Sequence, residues 1–285
     1  MLKKLLSFFM VTIMVIGMSV STFAYDGVTD DDTDLRKFVK DDAYEAIVKE
    51  KETMAMQYYN AKINGDINTA EKLLNKLSNG SMTPVRLKSG SVSPLATIKR
   101  LDIFQVPQEK SFWCGYAGIK SLLDFEGVEM TQEEIAEEVY SADKDCPWYL
   151  SNGNEKSQFP VAVKLTEWAS FNYVPFPYGA AGTVPFTASD LKPKIIATID
   201  LGHGVMILGN SRGKDKDEES MLPGYPAQNI GHWIVSDGYK DSGDNIWIVD
   251  PAKSKAISWS DDIKAYYSIS ATKLAAFAKP RGIIW

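Results

Sequence analysis

Apolar residues recur along this chain with two periods, one near 3.6 and one near 2, and the two dominate different stretches. From Cys114 the sequence reads CGYAGIKSLLDFE, with Ile119, Leu122, Leu123 and Phe125 spaced three or four apart. That spacing predicts an amphipathic helix running to about Glu126 and ended by Gly127. Residues 35–60 (LRKFVKDDAYEAIVKEKETMAMQYYN) predict an earlier helix, broken by Asn64 and Gly65. Asp66–Leu77 predict its partner, with Ala70, Leu73, Leu74 and Leu77 as the packing face. Together they make a helical hairpin. Thr131-Gln132-Glu133-Glu134 is a capping box opening a helix through Tyr140. Pro160 suits the first turn of another, which offers Val163, Leu165, Trp168 and Ala169 for packing. Thr187 and Asp190 cap a helix carrying Leu191, Ile195, Ile196 and Ile199.

The strand signals come mostly later. IKRLDIFQVP (98–107) predicts a short strand leading to Gln108, and Gly202 to Gly204 turn the chain into VMILG. GHWIVSDGY and NIWIVDP predict two antiparallel strands joined by KDSGD. SWSDDIKAYYS and ATKLAAFA complete the domain. Helices first and sheet after means α+β. Asn79 to Pro94 (NGSMTPVRLKSGSVSP) is rich in Gly, Ser and Pro and reads as a linker. Residues 25–97 are therefore a helical N-terminal extension or pro-segment with its linker, and 98–285 the main domain. Loops 141–158, 172–186 and 211–229 are expected to wall a groove, with Trp148, Tyr149 and Tyr178 as candidate contacts.

Composition narrows the picture. The 285 residues, 45% hydrophobic, suffice for one sizeable core plus a small accessory segment. A net charge of −6 excludes a nucleic-acid partner, which would require a basic face. Residues 1–24 (MLKKLLSFFMVTIMVIGMSVSTFA) carry Lys3 and Lys4, an apolar run from Leu5 to Val20, and small residues at Thr22 and Ala24. This is the pattern of a cleaved signal peptide. The run is short for a membrane span, and no cysteine follows it to take a lipid. The expectation is a bacterial protein, exported to the envelope or beyond. It would have no stable membrane insertion after cleavage and would associate with the cell surface. Asp30, Asp31, Asp32 and Asp34 do not fit a calcium-loop spacing and read as a solvated leader.

The candidate chemistry begins at Cys114. A thiol at a helix N-terminus feels the positive end of the helix dipole, which favours the nucleophilic thiolate. Gly115 lets other backbone approach the sulfur. Six residues earlier, Gln108 can donate to a developing oxyanion together with the backbone N–H of Cys114. The chain has two histidines. His232 starts one predicted strand and Asp250 ends the next, so a hairpin makes them neighbours. An aspartate on the second ring nitrogen orients the base and stabilises the imidazolium. The reading is Cys114 as nucleophile, His232 as base and acid, Asp250 as orienter and Gln108 as oxyanion donor. His203, between glycines, is expected to be a turn residue. A Cys114–Cys146 bridge would consume the nucleophile, so Cys146 is expected to be a buried thiol. The scattered His and Cys residues give no zinc spacing, and neither metal nor cofactor is expected.

Gln108, WCGYAG at 113–118, GHWIVSDGY at 231–239 and IWIVDPA at 246–252 together resemble the papain-like cysteine peptidases. The closest resemblance is to the branch related to the bacteriocin-processing, double-glycine-leader peptidases. LKPKIIATIDLGHGVMIL resembles the helix–turn–strand that precedes the histidine strand in that branch. The resemblance implies a helical part carrying the nucleophile, packed on an antiparallel sheet. It implies the same four roles for Cys114, His232, Asp250 and Gln108, in a stand-alone secreted enzyme that hydrolyses a peptide or protein substrate. The residues leave two alternatives open. One is acyl transfer or cell-wall peptide cleavage by the same triad. The other is a non-catalytic surface-binding module on the same scaffold.

Overall fold

A computed structural model describes residues 40–79, 96–150, 158–179, 187–212 and 220–285. The signal segment 1–24, the aspartates Asp30, Asp31, Asp32 and Asp34, most of the linker, and parts of the three expected groove loops lie outside these residues.

The helical hairpin forms as its periodicity predicts. Helix α1 spans Asp42–Ile63 and α2 spans Ile67–Asn79. Asp41 caps α1, accepting from the N–H groups of Ala43 and Tyr44, and positions 35–39 of the expected helix lie outside the described residues. The hairpin packs on the domain through buried polar anchors. Lys62 Nζ donates to Asp200 Oδ2 at 2.9 Å, and the Tyr58 hydroxyl donates to the same oxygen at 2.5 Å. Tyr239, from the sheet, donates to Asp200 Oδ1 at 2.8 Å. Lys51 Nζ donates to the carbonyls of Asn172 and Trp285 at 2.6 and 2.7 Å, over the rings of Phe171 and Trp285. Burial alone holds this ammonium well below its usual range.

The rest is α+β. Helices α3 (Cys114–Glu126), α4 (Gln132–Val139), α5 (Pro160–Ala169), α6 (Ala188–Asp200) and α7 (Ala271–Ala278) surround one sheet. Its strands are β1 (Lys99–Arg100), β2 (Pro175–Phe176), β3 (Val205–Ser211), β4 (Ile230–Lys240), β5 (Asn245–Val249), β6 (Tyr266–Ser270) and β7 (Gly282–Ile284). The order is β2-β7-β3-β4-β5-β6, with every described pair antiparallel and β1 added to β4. Helix α3 meets Met206 and Val235 on one face, while Phe277 of α7 meets Gly209, three residues along β3, from the other. Covered on both faces, β3 and β4 are buried almost throughout, which is why they read as apolar runs. Both expected capping boxes are present, at Thr131/Glu134 and Thr187/Asp190.

Three differences have local causes. The strand expected over 98–107 pairs only at Lys99 and Arg100, because Asp102 adopts φ 56° and turns the chain out of the ladder. The loop expected around 175 contains β2, which pairs with the three-residue β7. Trp148 and Tyr149, expected in a groove wall, are 1% and 2% exposed and pack in the core.

Gly115 sits where α3 touches its surroundings most closely. A Cβ built there would lie 2.3 Å from Cys146 Cβ and 2.7 Å from the Trp233 ring. The approach that Gly115 permits is thus made by side chains.

Two stability predictions follow from this packing. Lys62→Met leaves Asp200 buried without its cation and should cost about 3 kcal/mol in urea unfolding. Gly115→Ala should cost about 2 kcal/mol by overpacking, read as a lower thermal midpoint. An unchanged midpoint in either variant would contradict the packing described.

Candidate active site

The turn before α3 is pinned on several sides. The Trp113 indole Nε1 donates to Ala142 O at 3.2 Å, and Lys110 Nζ lies 3.8 Å over the Trp113 ring. Trp113 is the N-cap and supplies no capping side chain, so the first amides of α3 are not spent on a cap. Cys114 is the first residue of the helix.

The sheet supplies the histidine. Strand β5 ends at Val249, opposite Val235 of β4. Ahead of Val235 the β5 side of β4 is open, and Cys114 occupies that gap. Its Sγ accepts the backbone N–H of Trp233 at 3.4 Å. Just past the end of β5, Asp250 Oδ1 lies 2.9 Å from His232 Nε2. Cys114 is the other group that acts on the His232 ring, and with Nε2 committed to Asp250 its Nδ1 is the nitrogen left for it. The ring therefore lies between sulfur and carboxylate. Burial opposes the charged imidazole, but the charge and hydrogen bonds of Cys114 and Asp250 outweigh burial and push His232 up to about 10. Cys114, at 9%, is the most exposed of this group, against 3% for His232 and 0% for Asp250.

Gln108 is placed by its backbone. Its N–H donates to Pro251 O at 3.1 Å, and its carbonyl accepts from the Ser254 hydroxyl at 2.5 Å. Gln132 grips both neighbours, donating to Pro107 O at 2.8 Å and accepting from Glu109 N–H at 3.1 Å. The Gln108 side chain is buried. Nε2 gives one N–H to Lys110 O at 2.8 Å, and Oε1 has no partner. A primary amide carries two N–H donors, so this contact leaves one uncommitted.

Several residues escaped the sequence reading. Tyr225 and Tyr267 both donate to Asp250. Tyr225 lies in the loop read as polar, where the one signal was an aromatic ring between Gly224 and Pro226. Tyr267 was read only as part of a stretch that completes the domain. Gln132 was hidden inside a capping box, as ordinary a polar position as a helix start offers.

Other candidates lie apart from this cluster. His203 Nδ1 pairs with Glu126 Oε1 at 2.8 Å, and its ring stacks on Phe171. Tyr178 donates to and accepts from the backbone of Asp41. Cys146 is a buried thiol with no disulfide to Cys114, and its carbonyl accepts Trp233 Nε1 at 3.0 Å. Among the described residues no group of three or more His, Cys, Asp and Glu is placed to hold a metal, and no helix is long and apolar enough to cross a membrane.

A comparison with curated proteins finds no match. A family model described as "Peptidase_C39 like family" matches residues 100–274, more than half of the chain and a span that contains Gln108, Cys114, His232 and Asp250. With a helix that opens on Cys114 seated on its antiparallel sheet, the chain belongs to the Peptidase_C39 like family, a family of papain-like cysteine peptidases.

Proposed function

We propose that this protein is an exported cysteine peptidase in which Cys114, His232 and Asp250 act as a triad and Gln108 serves the oxyanion. The observation that carries the reading is the His232 imidazole held between the Cys114 sulfur and the Asp250 carboxylate. As a thiolate, Cys114 attacks the scissile amide carbon and forms a C–S bond. The carbonyl oxygen becomes an oxyanion, which takes the Cys114 backbone N–H and the uncommitted N–H of Gln108 Nε2. On collapse the C–N bond breaks, and His232 Nδ1 gives its proton to the leaving amine. Water then attacks the thioester, His232 accepts its proton, and the acid departs as the thiolate re-forms. Asp250 keeps the ring oriented and stabilises its charged form throughout.

The motif set favours the branch resembling the double-glycine-leader peptidases, with a peptide or protein as substrate. The apolar run after Lys3 and Lys4 supports export.

Two measurements test the reading. Iodoacetamide should label Cys114 at about pH 6 faster than an ordinary thiol of pKa about 8.5. His232→Ala should abolish that advantage, and Cys114→Ala should abolish hydrolysis of unfolded protein substrates. Ordinary labelling, indifferent to His232, would refute the triad. The second measurement is stability against pH. The folded state raises His232 from 6.5 to about 10. Its contribution is fully present below about pH 6.5 and is lost as pH rises through about 10. Because a thiolate at Cys114 gives up the proton that His232 holds, the difference appears above the ordinary thiol range: between about pH 8.5 and about pH 9.5 the wild type should lose more unfolding free energy than His232→Gln. Parallel pH profiles would contradict the raised imidazole.

A further inference from the structure

We propose that Tyr225 and Tyr267 are positioning residues for the peptidase reaction, clamping one oxygen of Asp250 so that the other is aimed at His232. The proposal rests on the triad reading above and adds two residues to it. Asp250 is 0% exposed, so the protein must supply the donors for both carboxylate oxygens. Oδ1 accepts from His232 Nε2 at 2.9 Å, from Ala252 N–H at 2.9 Å, and from the Tyr225 hydroxyl at 3.1 Å. Oδ2 accepts from the tyrosines alone, Tyr225 at 3.0 Å and Tyr267 at 2.7 Å. A carboxylate is free to turn about its Cβ–Cγ bond unless both ends are held. With Oδ2 fixed, the plane is fixed, and a lone pair of Oδ1 stays on the Nε2–H axis. The Tyr225 ring also lies against the imidazole, centroids 5.6 Å apart at 56°, which limits how far His232 can tilt.

The two hydroxyls arrive by separate routes, each specifically built. Tyr267 comes from β6, opposite Ile248 of β5. Tyr225 comes from the segment ahead of β4. There Gly224 adopts φ +81°, and a Cβ on it would lie 2.2 Å from the Asp262 carbonyl oxygen. Leu222 N–H donates to Ser211 Oγ at 2.9 Å, and Lys273 Nζ donates to Met221 O at 3.0 Å. Burial first, and the Asp250 charge second, hold both phenols well above their usual range, so they remain donors across the neutral region.

The test compares Tyr225→Phe, Tyr267→Phe, the double variant and Gly224→Ala with wild type and His232→Ala, all as the full chain. Two signals are read: the rate of Cys114 alkylation by iodoacetamide at about pH 6, and the ring-nitrogen NMR shifts of isotope-labelled histidine. The chain's two histidines make His203 an internal reference. Each single Phe variant should slow alkylation several-fold and the double by about tenfold, with the His232 shifts moving and those of His203 staying put. Gly224→Ala, which removes neither hydroxyl, should reproduce the Tyr225→Phe result by displacing the ring. If the double variant fails to fold, the single variants decide the matter by the same two signals. Unchanged rate and unchanged His232 shifts overturn the proposal, as does a slowing in which both histidines move together, since that marks general loosening. If His232→Ala leaves the wild-type rate intact, the triad reading itself falls. If His232→Ala slows it and the Phe variants do not, only the positioning role falls.

Discussion

A carboxylate with no exposed surface has to find every donor it needs within the protein, and Asp250 imposes that demand on the whole domain. Strand β5 must stop at Val249 so that the next residue turns under His232. Strand β6 must deliver Tyr267, and the segment before β4 must deliver Tyr225. The strand-like run ahead of α3 is tied in as well. Gln105 Nε2 donates to the Asp250 carbonyl at 3.0 Å, and Gln108 N–H donates to the carbonyl of Pro251. One buried group thus fixes four segments relative to one another, and Cys114 lands beside the imidazole as a result.

The domain contains a second site of the same composition. Asp200 is also buried, and it also takes two tyrosine hydroxyls and one basic side chain, from Tyr58, Tyr239 and Lys62. The difference between the two sites lies in the base. Lys62 presents an ammonium to Asp200 and nothing beyond it that could receive a proton in a reaction. His232 has a second ring nitrogen, and Cys114 is the group left for it. The same local electrostatics therefore lock a helical hairpin in one place and, in the proposed reaction, hold a proton ready in the other.

How far the sequence foretold this depended on the range of the forces involved. Cys114 at a helix start was legible because Ile119, Leu122 and Leu123 declare the helix within a few turns. The closeness of His232 and Asp250 was legible because a hairpin with a short turn leaves two adjacent strands little choice of register. Tyr225 and Tyr267 were not legible, because nothing local distinguishes a tyrosine that buries its hydroxyl on a carboxylate from one that merely packs. Trp148 failed in the opposite direction. Its loop suggested a groove wall, yet its ring lies 6.0 Å from Trp233 inside the core. β7 was missed because three residues, GII, carry no period, and only Met206, Ile207 and Leu208 on β3 give them a place in the sheet.

The position of the Asp200 cluster bears on what the N-terminal hairpin does. Tyr239 lies seven residues along β4 from His232, roughly 23 Å at the rise of an extended strand. The polar anchors of α1, to Asp200, Asn172, Tyr178 and Trp285, do not include Cys114, Gln108, His232 or Asp250. These contacts hold the hairpin on the domain at a distance from the candidate site. The two buried aspartates thus grip one strand at its two ends: Asp200 holds Tyr239 at the far end of β4, and Asp250 holds His232 at the near end.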